Sequence, residues 1–153
     1  SDIAYSYVNY AFSLKRKNYQ FKKISELGKL RLLSWQGATA TLGSKYADMA
    51  LNNPFYSEHH NQELQVKMLY MDRVDVVQLD MQIFRYFRSK VALAGLINTQ
   101  LEIDQFPLFG KNDCGFLFRS VKARDTFNKQ LKLLKNNGRY DQIYTHYVSM
   151  TQD

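Results

Sequence analysis

The chain has 153 residues, 45% of them hydrophobic, with 11 Tyr, 10 Phe and a formal net charge of +7 at neutral pH. That length suits one domain with a real core, and that composition is too apolar for a disordered segment. No run approaches the roughly 20 apolar residues needed to cross a bilayer as a helix. Cys114 is the only cysteine, which excludes an intramolecular disulfide. Beside Gly115 and Phe116 it reads as a small buried residue rather than a nucleophile.

The chain opens Ser1-Asp2-Ile3 without a Met and shows no leader peptide, as a processed or trimmed product would. Val8, Tyr10, Phe12 and Leu14 then alternate with smaller or more polar neighbours, a period of two that predicts a strand over 5–14. A basic loop follows, and a turn through Ser25–Gly28. Leu30–Trp35 is a short apolar run that predicts a buried strand ending at Gly37. From Thr39 the period becomes helical, with Leu42, Tyr46, Ala47 and Ala50 on one face, until Asn52-Asn53-Pro54 stops it. Tyr56–His60 is a strand or loop, and Leu64, Met68 and Met71 mark a second helix. Val74–Leu79 is apolar on nearly every position, as a central strand covered on both faces should be. Asp80 ends it, and Ile83, Phe84, Phe87 and Val91 restore the helical period. Leu101–Phe106 and Cys114–Arg119 predict two more strands. Two helices close the chain: one capped by Ser120 and ended by Asn137-Gly138, the other carrying Tyr140, Ile143, Tyr144, Tyr147 and Val148 as one stripe. Alternating strands and helices predict an α/β fold with a mostly parallel sheet flanked by helices.

In such sheets ligands bind at the carboxyl ends of strands. One such end is Trp35-Gln36-Gly37-Ala38-Thr39, where backbone amides and the Thr39 hydroxyl could face an anion. Equally, Gly37 could simply make the turn and Thr39 cap the helix. The other end is Leu79-Asp80, where the carboxylate could hold an ammonium or hydroxyl, or serve as the N-cap of the next helix. The two roles can coexist. No phosphate-binding loop, dinucleotide fingerprint or zinc pattern is present. Asp75 and Asp80 are five apart along a strand and point to opposite faces, and the adjacent His59 and His60 are expected to diverge, so neither pair predicts catalysis or a metal site. No cofactor is expected.

The order of these signals resembles the type 2 periplasmic solute-binding proteins, amino-acid type. Ile24-Ser25-Glu26-Leu27-Gly28-Lys29 is similar to the family's entry to a buried strand, and Gln36-Gly37-Ala38-Thr39 to its ligand turn. Tyr70–Asp80 resembles its central block, and Phe127–Leu131 with Asn137–Ile143 its closing pattern. The resemblance implies a two-lobed clamshell that binds an amino acid or similar small polar solute without catalysis. It implies import with an ABC permease, or sensing with a receptor, in the periplasm. It assigns 1–19 to a crossing strand and hinge, 20–106 to lobe two, and 107–153 to a return strand and the last helices of lobe one. Trp35 then lines the cleft, Gly37, Ala38 and Thr39 hold the ligand's carboxylate, and Asp80 contacts its amino group. Ala38 stands where the family carries a hydroxyl, and Asp72 where it carries Gly. The first part of lobe one has no counterpart, which suggests half a binding site or a domain-exchanged homo-oligomer. The rival is a nucleic-acid or polyanion-binding domain built on Lys15, Arg16, Lys17, Lys22, Lys23, Lys29 and Arg31.

Overall fold

The structure is a computed structural model that describes residues 1–149. It divides into two compact units, one of residues 8–110 and one of residues 1–7 with the chain from residue 111 on.

The larger unit is a sheet covered by helices. Its strands are β1 (Tyr5–Leu14, entering the unit at Val8), β2 (Leu32–Trp35), β3 (Tyr56–His59), β4 (Val76–Asp80) and β5 (Ile103–Phe106). Their order is β3-β2-β4-β1-β5. β2 runs parallel to β3 and β4, whereas β1 is antiparallel to β4 and β5. The α/β class and flanking helices are as the alternation predicts. The parallel pairing sits in the β3-β2-β4 half, where the ligand-bearing ends were expected.

Each face of the sheet carries its own core. On one, Phe12, Leu14, Leu33, Val77 and Leu79 meet Val66, Leu69 and Tyr70 of α3 (Gln62–Tyr70) and Phe84 and Val91 of α4 (Met81–Leu93). The Phe12 and Phe84 rings stack 4.0 Å apart. On the other, Ala11, Leu32 and Val76 meet Leu27, Ala38 of α1 (Ala38–Thr41), and Tyr46, Met49 and Ala50 of α2 (Ser44–Leu51). Double coverage buries all five residues of β4; Val76, Val77 and Leu79 are apolar, and the polar Gln78 and Asp80 are buried with hydrogen-bond partners. It also buries Asn9, Ala11 and Ser13 of β1, the positions that alternation assigned to the less apolar face.

The single helix predicted from Thr39 is two. Gly43 lies between them at φ +87°, a conformation that no right-handed helix can continue through. Leu42 and Tyr46 remain four residues apart across the break, so the period conceals it.

In the smaller unit, β6 (Lys111–Cys114) pairs with β1. The strand expected at Cys114–Arg119 therefore ends where it was predicted to begin. Gly115 backs closely onto Ser1 and Asp2, where a Cβ would come within 3.0 Å of the Ser1 hydroxyl. Cys114 is exposed, not buried, because its strand is short and largely open to water. α5 (Val121–Asn136) starts at Ser120, whose hydroxyl accepts the Ala123 amide. Gly138, at φ +74°, separates it from α6 (Arg139–Ser149), as Asn137-Gly138 predicted. Tyr140 of α6 donates its hydroxyl to the Ala4 carbonyl at 2.6 Å.

Candidate functional site

β2 delivers Trp35 to its carboxyl end, and the chain then turns through Gly37 at φ +94°. The Trp35 ring lies 3.4 Å from where a Gly37 Cβ would stand, so the turn is closed on one side by the indole. Its open donors converge on a residue that sequence reasoning did not single out. Glu58 of β3 accepts the Gly37 amide on Oε2 at 2.7 Å, and on Oε1 both the amide and the hydroxyl of Thr39 at 2.9 Å. The Tyr56 hydroxyl adds a fourth bond to Oε1 at 2.8 Å. Tyr56 and Glu58 are two apart on one strand and so share a face. Ala38 contributes no polar group and is buried in the core.

The electrostatics follow. Burial pushes the Glu58 carboxyl up, but the Gly37 and Thr39 amides and the Tyr56 and Thr39 hydroxyls together hold it below the usual carboxylate range. Burial pushes the Tyr56 phenol far above its ordinary range, so it donates as a neutral hydroxyl. Beneath it, burial raises Tyr46 to about 12, and its hydroxyl bonds that of Ser34.

Asp80 ends β4, the neighbour of β2 on its other side. Its Oδ1 accepts the Gln82 and Ile83 amides at 2.8 and 3.1 Å, making it the N-cap of α4. Its Oδ2 accepts the Val8 amide of β1 at 2.8 Å. Only 3% of the residue is exposed. The strand register sets Gln78, Ser34 and Glu58 side by side. Gln78 is fully buried; its Nε2 donates to Asn9 at 2.7 Å, and its Oε1 has no hydrogen-bond partner. The structure thus gathers Trp35, Gly37, Ala38 and Thr39 around Glu58, with Asp80 at the end of the adjacent strand.

Other polar groups settle elsewhere. His59 and His60 stack at 4.5 Å rather than diverging, because His60 lies past the end of β3. Among the described residues no group of three His, Cys, Asp or Glu could hold a metal ion. Asp75 and Asp80 share no partner. Asp75 binds Arg31 through Nη2 at 2.7 Å and Nε at 3.1 Å, and the Arg31 hydrogen bond, outweighing burial, holds its carboxyl low. Asp72 pairs with Arg16 and Lys17, both at 2.8 Å. Lys15 pairs with Glu102 at 3.2 Å, so four of the basic residues that suggested a polyanion site, Lys15, Arg16, Lys17 and Arg31, are tied to carboxylates. Among the described residues no helix is long and apolar enough to cross a membrane.

No protein-family model matches the sequence, and no curated protein matches it. Solved structures do. The GluR0 ligand-binding core in complex with L-glutamate superposes with a TM-score of 0.73 at 12% identity, over 97% of this chain and 62% of that one. The amino-acid ABC transporter substrate-binding protein AbpA from Streptococcus pneumoniae, bound to L-arginine, gives a TM-score of 0.73 at 12% identity, over 100% and 62%. An ancestral arginine-binding protein bound to glutamine gives 0.70 at 18% identity, over 96% and 62%. The chain spans less than two thirds of the length of each. Its sheet order, its helices and these superpositions agree: the chain has the fold of the type 2 periplasmic amino-acid-binding proteins.

Proposed function

We propose that the chain is a non-catalytic solute-binding module that reversibly holds a small polar, amino-acid-like solute. Residues 20–106 serve as lobe two, and residues 107–153 as the returning part of lobe one. Trp35, Gly37 and Thr39 line the site beside the buried Ala38, with Asp80 at the end of the adjacent strand. The observation that carries this reading is the convergence of donors and carboxylates at the carboxyl ends of β2, β3 and β4, on a fold whose solved examples hold glutamate, arginine and glutamine. A similar structure is described as an ancestral amino-acid-binding protein and precursor of cyclohexadienyl dehydratase, so the fold alone does not decide against catalysis. The absence of catalysis is supported by how the two carboxylates are used: Glu58 accepts four donors, which hold its carboxyl below the usual range, and Asp80 accepts three backbone amides.

Work in import or sensing follows, in the periplasm, with an ABC permease or a receptor as partner. Exposed Ile143, Tyr144 and Tyr147 along α6 support packing against further polypeptide, including a domain-exchanged second copy. The test is thermal unfolding of the chain against amino acids, amines and small carboxylates. A solute that binds only the folded state raises Tm in a saturable way. A flat response across the panel, with steeply salt-dependent retention on heparin, would replace this reading with polyanion binding.

A further inference from the structure

Three donors of the Gly37–Thr39 turn, with the Tyr56 hydroxyl of β3, form a cradle shaped for one carboxylate, and the chain fills it with its own. Gly37 gives an amide, Thr39 an amide and a hydroxyl, and Tyr56 a hydroxyl, all within 2.9 Å of Glu58. A carboxylate tethered to β3 competes at high effective concentration with any free one. An incoming carboxylate finds these donors taken and meets a like charge. Beneath the same side of the sheet, the fully buried Gln78 holds a second acceptor, its Oε1, without a hydrogen-bond partner. What remains on this face therefore suits a donor, and Glu58 is only partly buried, so its negative charge can be felt from outside.

We propose that Glu58 is a specificity-determining residue: it occupies the carboxylate cradle and selects cationic amines that carry no carboxylate of their own. This rests on the solute-binding reading and narrows it, from amino-acid-like solutes to their decarboxylated counterparts. Trp35, half-buried beside the cradle, offers a ring face to such a cation.

Two experiments test it. In the first, sodium acetate is added to the wild-type chain and to Glu58→Ala while the Gly37 and Thr39 amides are followed by heteronuclear NMR. The variant should show saturable shifts at both amides and the wild type none. Saturation in the wild type, or its absence in a variant with the wild-type spectral fingerprint, overturns the cradle. The second needs no variant. Calorimetry compares arginine with agmatine, lysine with cadaverine and ornithine with putrescine on the wild-type chain. In whichever pair binds, the amine without a carboxylate should win by about tenfold or more. Equal or reversed order overturns the inference while leaving solute binding intact. Silence from all six compounds, with no acetate response in Glu58→Ala, overturns both.

Discussion

Asp80 holds three amides with two oxygens, joining the start of α4 to β1. Asp80→Ala leaves those amides without their acceptor in a buried place, and should cost about 3 kcal/mol in urea unfolding at constant m. Asp80→Asn keeps one accepting oxygen and should cost about half as much. Gly37 at φ +94° is a second sensitive position: Gly37→Ala should cost about 1–2 kcal/mol, since an L side chain is strained at that φ. Glu58 gives a pH signature. Its folded carboxyl titrates below the ordinary 4.5, so its contribution is complete above that value and is lost as pH falls through the lower, folded one. The stability gap between wild type and Glu58→Gln, read from urea midpoints at successive pH, should therefore be widest near neutrality and close as pH drops below about 4.5. The Gly37 turn and the Asp80 cap were legible in the sequence because turns and caps are local, whereas Thr39 caps no helix and gives its hydroxyl to Glu58. Glu58 was not legible, because Gly37 and Thr39 lie 21 and 19 residues away along the chain and meet it only across the β2–β3 pair. One signal was present: Tyr56 and Glu58 alternate in phase, which sets a carboxylate on the same face as a core tyrosine.

Among the elements, β4 and α4 were readable because burial on both sides, or on one stripe, writes itself into composition and period. The α1–α2 break escaped because Gly43 interrupts the backbone without disturbing the spacing of Leu42 and Tyr46. β6 was displaced because Phe116, Leu117 and Phe118 look like a buried strand, yet Leu117 is fully exposed and Phe116 more than half so. The β2 and β4 entries are clamped by a local device, the forked bond from Arg31 to Asp75, reinforced by the Arg31 amide on the same carboxylate at 3.0 Å. Arg31→Lys keeps the charge but loses the fork, and should cost about 0.5–1 kcal/mol, the modest figure expected of a pair partly open to water. A double-mutant cycle with Asp75→Asn, repeated in high salt, should show the coupling shrink.

At the scale of the whole chain, the ordered series of turn and strand blocks was enough to indicate the fold, although each block alone is short. The stripe predicted on α5 and α6 was legible as pattern but misleading as burial: Leu131 is buried, whereas Leu134, Ile143, Tyr144 and Tyr147 face water. Periodicity reports which residues share a face, not what covers that face. The exposure of Cys114 has a practical consequence. The sequence holds one cysteine and one tryptophan, and they fall in different units: Trp35 in residues 8–110, Cys114 in the other. A thiol-reactive acceptor dye placed on Cys114 makes Trp35 the sole indole donor, an optical ruler between the two units that requires no substitution. If a solute draws the units together or apart, the efficiency of energy transfer should change in step with occupancy, so the same titration gives affinity and domain motion at once.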